Sequence, residues 1–562
     1  MMESRTMARS QPTERARRRL LAGLLVTGFL AGTGDLAGDS FGALADPVIS
    51  DDAGLAGARE LPTAWSRPHR MPTRQLTRHG DPPDPTGVSD ELKGVYRHID
   101  ANFGTHVERL REWIKIPSIS NLVEGQPGIW DSARFLRDLI TEELGCQAEI
   151  HHPGIGDWGA PGNPVVYGRC DVGAEKTIID YVMADVMPIW PEEDWPAPPF
   201  GGQIIEKPPY KRVLVGRGAS NQKGHEMAQL NALISIKATT GTLPVNMIFI
   251  VDHDEERAEI GIRSFMMKNP ELFEADAVFG LGAGQGSNGQ GRVGGAASIG
   301  NLVFDLETHP LAGLSASDGM SPGVGLWLPE QPMWRHMQML QVFAEDSELR
   351  RQMAEGVIQP SPPEMEYLRS RAESSSRSFE DILRVRTGVR VAIMGTWGGN
   401  MVPGYAGHHR PPVAASKIDI RYPPNVDGEV LAEVIRDYLD DHGYADVKMN
   451  VIGDVPWSYA NTDTEIADAI RAMYRQFDVP FDEPPTGDFL GTATARWPDY
   501  LFTRMPLQLP TARGGLGYGT GAHFHPEGEY YVIEGDGERV YGFAGAMKSY
   551  ATTLYNYAGL NP

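Results

Sequence analysis

The chain has 562 residues, 41% hydrophobic and 9% aromatic, enough for a sizeable core divided among domains of roughly 150 residues. Its 74 acidic against 51 basic residues give a formal net charge of −23, which argues against nucleic acid as a partner. Two cysteines, Cys146 and Cys170, permit one disulfide at most and exclude a disulfide framework or zinc-finger pattern.

At the N-terminus Arg15, Arg17, Arg18 and Arg19 precede the apolar run "LLAGLLVTGFLAG", and the small-residue stretch "ALA" follows at 43–45. The run falls short of the ~20 residues of a membrane span, so residues 1–45 read as a signal peptide for export. The adjacent arginines fit a twin-arginine route. Residues 46–90, rich in Pro, Asp, Arg and Thr without apolar periodicity, read as a flexible leader.

From Ser89, a candidate cap, helical spacing begins and continues through "WDSARFLRDLITEELG", which Gly145 ends. "PVVYGRCDV", "LPVNMIFIVDHDEE" and "ADAVFGLGAG" read as strands, and "KGHEMAQLNALISIKATTG" as a helix between the first two. The alternation predicts an α/β sheet whose carboxyl ends gather ligands. Those ends carry Arg169, Asp171, Asp252, His253, Asp254 and Glu255. The glycine-rich stretch 280–295 reads as a flexible loop. "IGNLVFDLET", "VRVAIMGTW" and "AASKIDIRYPP" read as strands, and "GEVLAEVIRDYLDDHG" as a helix. The expected organisation is a catalytic domain in two parts, 91–297 and 456–562, split by an α+β insertion at 298–455.

"YGRCDV", "VLVGRGASNQKG", "LPVNMIFIVDHDEE", "NMVP", "ASKIDIRYPP" and "AHFHPEGEYY" stand in an order that resembles the M20 metallopeptidases over roughly 95–562. The resemblance implies an α/β catalytic domain with a mixed sheet flanked by helices and an inserted α+β lid that often dimerises. It also implies a zinc pair and cleavage of an amide bond near a free carboxylate. Two cations about 3.5–4 Å apart would activate water and polarise the carbonyl.

Carried over residue by residue, the resemblance departs from the family pattern. Its Tyr-Gly-His-x-Asp motif is matched to "YGRCD", which puts Arg169 in the histidine position and Asp171 in that of its orienting aspartate. A guanidinium cannot coordinate zinc. Arg169 then either braces a strand end or replaces metal charge. The shared carboxylate falls at Asn221, the base at Asp254, and the surviving ligand at Glu255. A further acidic ligand aligns with Gly282, and the last ligand is His523 or His525, each four residues before a glutamate. Zinc is therefore an uncertain cofactor on this reading. Lys223, Asn400, Arg421 and Arg496 are candidate substrate contacts, because an arginine fork suits a carboxylate. The lid's usual histidine has no full match, with Ser315 near its place.

The expected function is an exported M20-type hydrolase acting on a small peptide-like or N-acyl amino acid substrate, through an atypical metal site. The alternatives are a metal-independent enzyme on the same scaffold, catalysing condensation, cyclisation or acyl transfer, and a non-catalytic binding protein. A homodimer through the lid is the expected assembly.

Overall fold

A computed structural model describes residues 81–561 apart from 122–124, 191–192, 281–283, 296, 312–330, 346, 374–376, 399–412, 459–460, 483–496, 505–506 and 522–527. The expected signal peptide and residues 46–80 of the expected leader lie outside the described residues.

The central layer is a seven-stranded mixed sheet. Its strands run, in spatial order, Gln147–His151, Val165–Cys170, Asn246–Asp252, Thr177–Met183, Ala277–Phe279, Thr511–Arg513 and Gly294–Gly295. The four strands from 246–252 through 511–513 are mutually parallel. Val165–Cys170 runs antiparallel to Asn246–Asp252, pairing Cys170 with Met247 and Val166 with Val251. Strand 177–183, absent from the sequence expectation, is buried along almost its whole length, as a strand covered on both faces should be. Part of the supposed glycine-rich loop instead forms sheet edge, since Gly294 and Gly295 pair with Arg513 and Ala512.

Helices pack against this sheet. Helix Asp90–Ala101 begins at Ser89, whose hydroxyl accepts from Leu92 N at 3.3 Å, as expected of the cap. Helix Gly224–Thr240 ends where Gly241 turns left-handed at φ 83°, a conformation glycine adopts without strain. That helix is buried on nearly all sides, wedged between Asp90–Ala101 and Phe543–Tyr557. Cys146 and Cys170 form the single disulfide and tie the start of the edge strand to the end of its neighbour.

Between residues 300 and 455 lies a second, four-stranded antiparallel sheet, ordered Arg390–Trp397, Ala414–Tyr422, Gly300–Thr308, Lys448–Val455. Leu302, Phe304, Ile418 and Ile420 on one face pack against Met339 and Phe343 of helix Pro332–Glu345. The same face meets Leu431 and Ile435 of helix Gly428–Asp441. The chain's entry and exit meet, because Ser298 and Ser458 form a bridge whose hydroxyls lie 2.9 Å apart. The fold is the expected mixed α/β sheet with an inserted α+β layer.

Candidate active site

The carboxyl ends of strands 177–183 and 246–252 bring Asp185 beside the turn 252–256. Asp185 is fully buried and accepts the backbone N–H groups of Glu255 at 3.2 Å and Glu256 at 3.0 Å. Asp252 accepts Asp254 N at 2.8 Å and the Tyr181 hydroxyl at 3.0 Å. Burial, reinforced by Asp185, Asp254 and Glu259, holds the Asp252 carboxyl well above the usual carboxylate range. Asp254 accepts Asn163 N at 2.7 Å and Gly261 N at 2.8 Å, with Arg257 at 3.1 Å, and burial pushes it up to about 7. Asp254, expected as the base, thus uses its carboxylate to fasten the loop around it.

The opening of helix 224–240 supplies the opposing wall. Glu529 is buried and gathers the N–H groups of Gly218 at 2.8 Å, Ser220 at 2.7 Å and Asn221 at 2.8 Å. Arg217 lies against both Glu529, at 3.2 Å, and Glu193. This clamp aims Asn221 at the turn. The Asn221 amide Nδ2 donates to Glu256 Oε1 at 3.2 Å, and Gln222 Nε2 donates to Asn221 Oδ1 at 3.0 Å. Glu255 is buried and Glu256 half-buried beside it.

The sequence-derived site is only partly assembled here. Asn221, Asp254 and Glu255 come together with Glu256, which sequence reasoning passed over. Arg169 and Asp171 do not join them. Their strand is antiparallel to 246–252, so it ends beside Asn246, at the opposite edge of the sheet. Six residues at about 3.3 Å each separate that edge from Asp252. Arg169 donates its Nε to both Asp171 oxygens, at 3.0 and 2.9 Å, on the open surface beside the disulfide. Of the two alternatives for Arg169, the placement is that of a brace at a strand end.

Lys223, expected to touch substrate, is fully buried. It donates to the carbonyls of Trp113 at 3.0 Å and Ile116 at 2.9 Å, and burial lowers it to about 7. It anchors the helix to the preceding layer. His253, close in sequence to the expected ligands, turns inward to Pro164 O at 3.0 Å and Ser132 at 3.3 Å. Arg421 sits on the lid sheet, with Asp419 at 2.9 Å and Arg390 directly across the ladder. Asn400, Arg496, His523, His525, Gly282 and Ser315 lie outside the described residues.

A second stretch, "YVMAD" at 181–185, also places an aspartate four residues after a tyrosine, and it ends at the edge where the cluster is. Its middle position, the one the resemblance gives to histidine, is Met183. The available signal was the mainly apolar stretch of 177–183, interrupted by Asp180, which fits a central parallel strand.

The family profile described as Peptidase family M20/M25/M40 matches residues 184–546, well over half of the chain. The chain belongs to this family. The matched stretch starts one residue before Asp185, so it includes that aspartate and leaves both "YGRCD" and Met183 outside. Among curated M20-like relatives, the chain is 29% identical over 192 residues to the Cys-Gly metallodipeptidase DUG1 of Candida albicans. The alignment covers 32% of this chain and 38% of that protein. It is 26% identical over 190 residues to the Beta-Ala-His dipeptidase of Mus musculus, covering 32% and 37%. The chain therefore matches less than two fifths of the length of either relative. In fold it resembles human carnosine dipeptidase 1, with a TM-score of 0.65 and 18% identity over 84% of this chain and 100% of that one. It also resembles the M20 family metallo-carboxypeptidase Sso-CP2 of Sulfolobus solfataricus, with a TM-score of 0.64 and 22% identity over 81% and 99%.

The described residues at the expected ligand positions do not fit a zinc pair. Met183 offers a thioether instead of an imidazole, and Asn221 a neutral amide instead of a shared carboxylate. Among the described residues no three His, Cys, Asp or Glu side chains converge in a group that could hold a metal ion.

Proposed function

We propose that the chain hydrolyses an amide bond in a small peptide-like or N-acyl amino acid substrate bearing a free carboxylate. The observation that carries this reading is Glu256: a half-buried carboxylate at the ligand-gathering edge of the sheet, held by the Asn221 amide on a turn pinned by Asp185. Family membership supplies the reaction class, and the dipeptidase relatives favour a substrate of dipeptide size.

Hydrolysis adds hydroxyl to the carbonyl carbon and a proton to the leaving nitrogen. Glu256 is suited to take the proton from water and return it to nitrogen, a role typically contributing about 10²–10⁴-fold in rate. Glu255, on the same turn, is the runner-up for that role. Asn221 orients the Glu256 carboxylate. Arg421, with Asn400 and Arg496, is assigned to the substrate's carboxylate. Of His523 and His525, the one assigned to the site is His525, on the ground that it precedes by four residues the Glu529 that clamps the 218–221 loop.

The disulfide supports export, since such bonds persist in oxidising compartments. A homodimer through the lid is supported by its edge strand, which exposes Ile393, Met394 and Trp397. Light scattering on the purified chain tests that assembly, and a monomer at micromolar concentration would remove it.

The test of function is a panel of dipeptides and N-acyl amino acids incubated with the full chain, with the released amine read by mass spectrometry. Cleavage that Glu256→Gln reduces at least a hundredfold is the expected result. No cleavage of any member overturns the activity, and an unaffected variant moves the base elsewhere.

A further inference from the structure

We propose that the reaction centre of this chain works without a bridged pair of metal ions, the Asn221–Glu256 hydrogen bond standing where a shared metal carboxylate would be.

Three independent features converge on this. The first is Met183. It is completely buried, packed in one apolar cluster with Ile179, Ile248, Ile250 and Phe265. The strand end nearest Asp185 is thus part of the core, and its thioether is too soft and too enclosed to hold zinc beside oxygen donors.

The second is the donor polarity of Asn221. Its Nδ2 faces Glu256 Oε1 and its Oδ1 is taken by Gln222. An amide N–H directed at a carboxylate occupies the space through which a cation would reach that oxygen. A neutral amide also cannot offset the repulsion between two dications held about 4 Å apart.

The third is the use already made of the surrounding carboxylates. Asp185 receives two backbone N–H groups, Asp254 receives two, and Asp252 receives one together with a tyrosine hydroxyl. Their oxygens fasten the turn 252–261 rather than pointing at a common centre. Asp185 is the clearest case. The family resemblance gives it the task of orienting a histidine, and with Met183 in that place it orients the Glu255–Glu256 turn instead.

The consequence for chemistry is a centre whose polarising and proton-transfer groups are all organic. A carboxylate held by an amide, with buried acids behind it, suits general acid–base work on a carbonyl compound. The residues at 183 and 221, two of the three expected ligand positions without their usual donors, therefore underlie a change of mechanism on an unchanged scaffold. The assignment rests on the donor set and does not depend on the substrate proposed above.

The experiment is zinc binding to the full-length chain purified with zinc supplementation. Bound metal is measured by elemental analysis, binding by calorimetric titration with zinc chloride, and the thermal midpoint with and without a chelator. At most one equivalent of zinc and an unchanged midpoint on chelation are expected. Two tightly held equivalents, with a midpoint falling several degrees on chelation, overturn the proposal while leaving a hydrolase intact. At most one equivalent with no cleavage of any panel substrate upholds this proposal and overturns only the function above.

The double variant Met183→His, Asn221→Asp should gain zinc-dependent thermal stabilisation. The single variant Asn221→Asp should instead lose thermal stability without zinc, because it sets a second carboxylate against Glu256 at a buried position. A folded double variant indifferent to zinc overturns the assignment of the loss to these two positions.

Discussion

Asp180 sits mid-strand in 177–183, completely buried, with Tyr550 and the Gln229 amide as its polar neighbours. Burial pushes its carboxyl up to about 8, against an ordinary value near 3.8 in the unfolded chain. The folded state therefore holds its proton across that interval and the unfolded state does not. The stability attached to Asp180 is complete below pH 4, falls as the pH rises, and is gone above 8. Asp180→Asn should flatten this slope and raise stability at pH 9, read by chemical denaturation at pH 5, 7 and 9; parallel slopes in the two proteins would refute it. Arg169 makes the opposite kind of prediction. Its ion pair with Asp171 is exposed, and exposed pairs contribute about 0–1 kcal/mol. Arg169→Ala should change kcat/KM less than twofold, whereas a tenfold loss would return Arg169 to the site. The sequence alone favoured "YGRCD" because it keeps the glycine of the family motif. Whether a strand runs parallel or antiparallel to its neighbour is a pairing decision made far away in sequence, so local letters could not separate it from "YVMAD".

At the scale of elements, the readable ones carried their own punctuation. Helix 90–101 has its serine cap, helix 224–240 its terminal glycine, and strand 300–308 alternates between buried and half-buried positions. Strand 177–183 carries an aspartate and a tyrosine inside an apolar run, and strand 530–534 follows directly on a charged, glycine-bearing stretch. Their assignment depends on burial on both faces, which only the folded context supplies. Glu529 was legible as a residue and illegible as a clamp, because its three backbone partners lie more than 300 residues earlier. Each of its oxygens receives two donors, one pair being Ser220 and Asn221, the other Gly218 and Arg217. Glu529→Gln must turn an NH₂ group toward one of these pairs whichever way the amide is set. A loss of about 1–3 kcal/mol follows, together with a loss of activity as Asn221 is released. Equilibrium unfolding and a kinetic assay on the same preparation check both, and a variant as stable as wild type would show that the clamp contributes little.

For the molecule as a whole, one covalent bond and one pair of crossings set the mechanics. The Cys146–Cys170 bond closes a short loop, 24 residues apart in sequence, at the outer edge of the main sheet. Loops of this size are typically stabilised by about 2–4 kcal/mol. Replacing both cysteines with serine should lower the thermal midpoint by several degrees and make it insensitive to reductant, while an unchanged midpoint would mean that the edge is held by its ladder alone. The edge lies far from Glu256, so activity per folded molecule should persist.

The bridge between Ser298 and Ser458 has a different consequence. Where a chain leaves a layer and returns to it at the same point, everything between departure and return is a detachable cassette. Residues 299–457 could be exchanged for a turn of a few residues, provided the turn replaces Val455, which packs in one cluster with Ile248 and Ile250 of the main sheet. The central sheet, with Asn221 and Glu256 on the turns beside it, would then be a platform able to carry other inserts grafted at the same two serines.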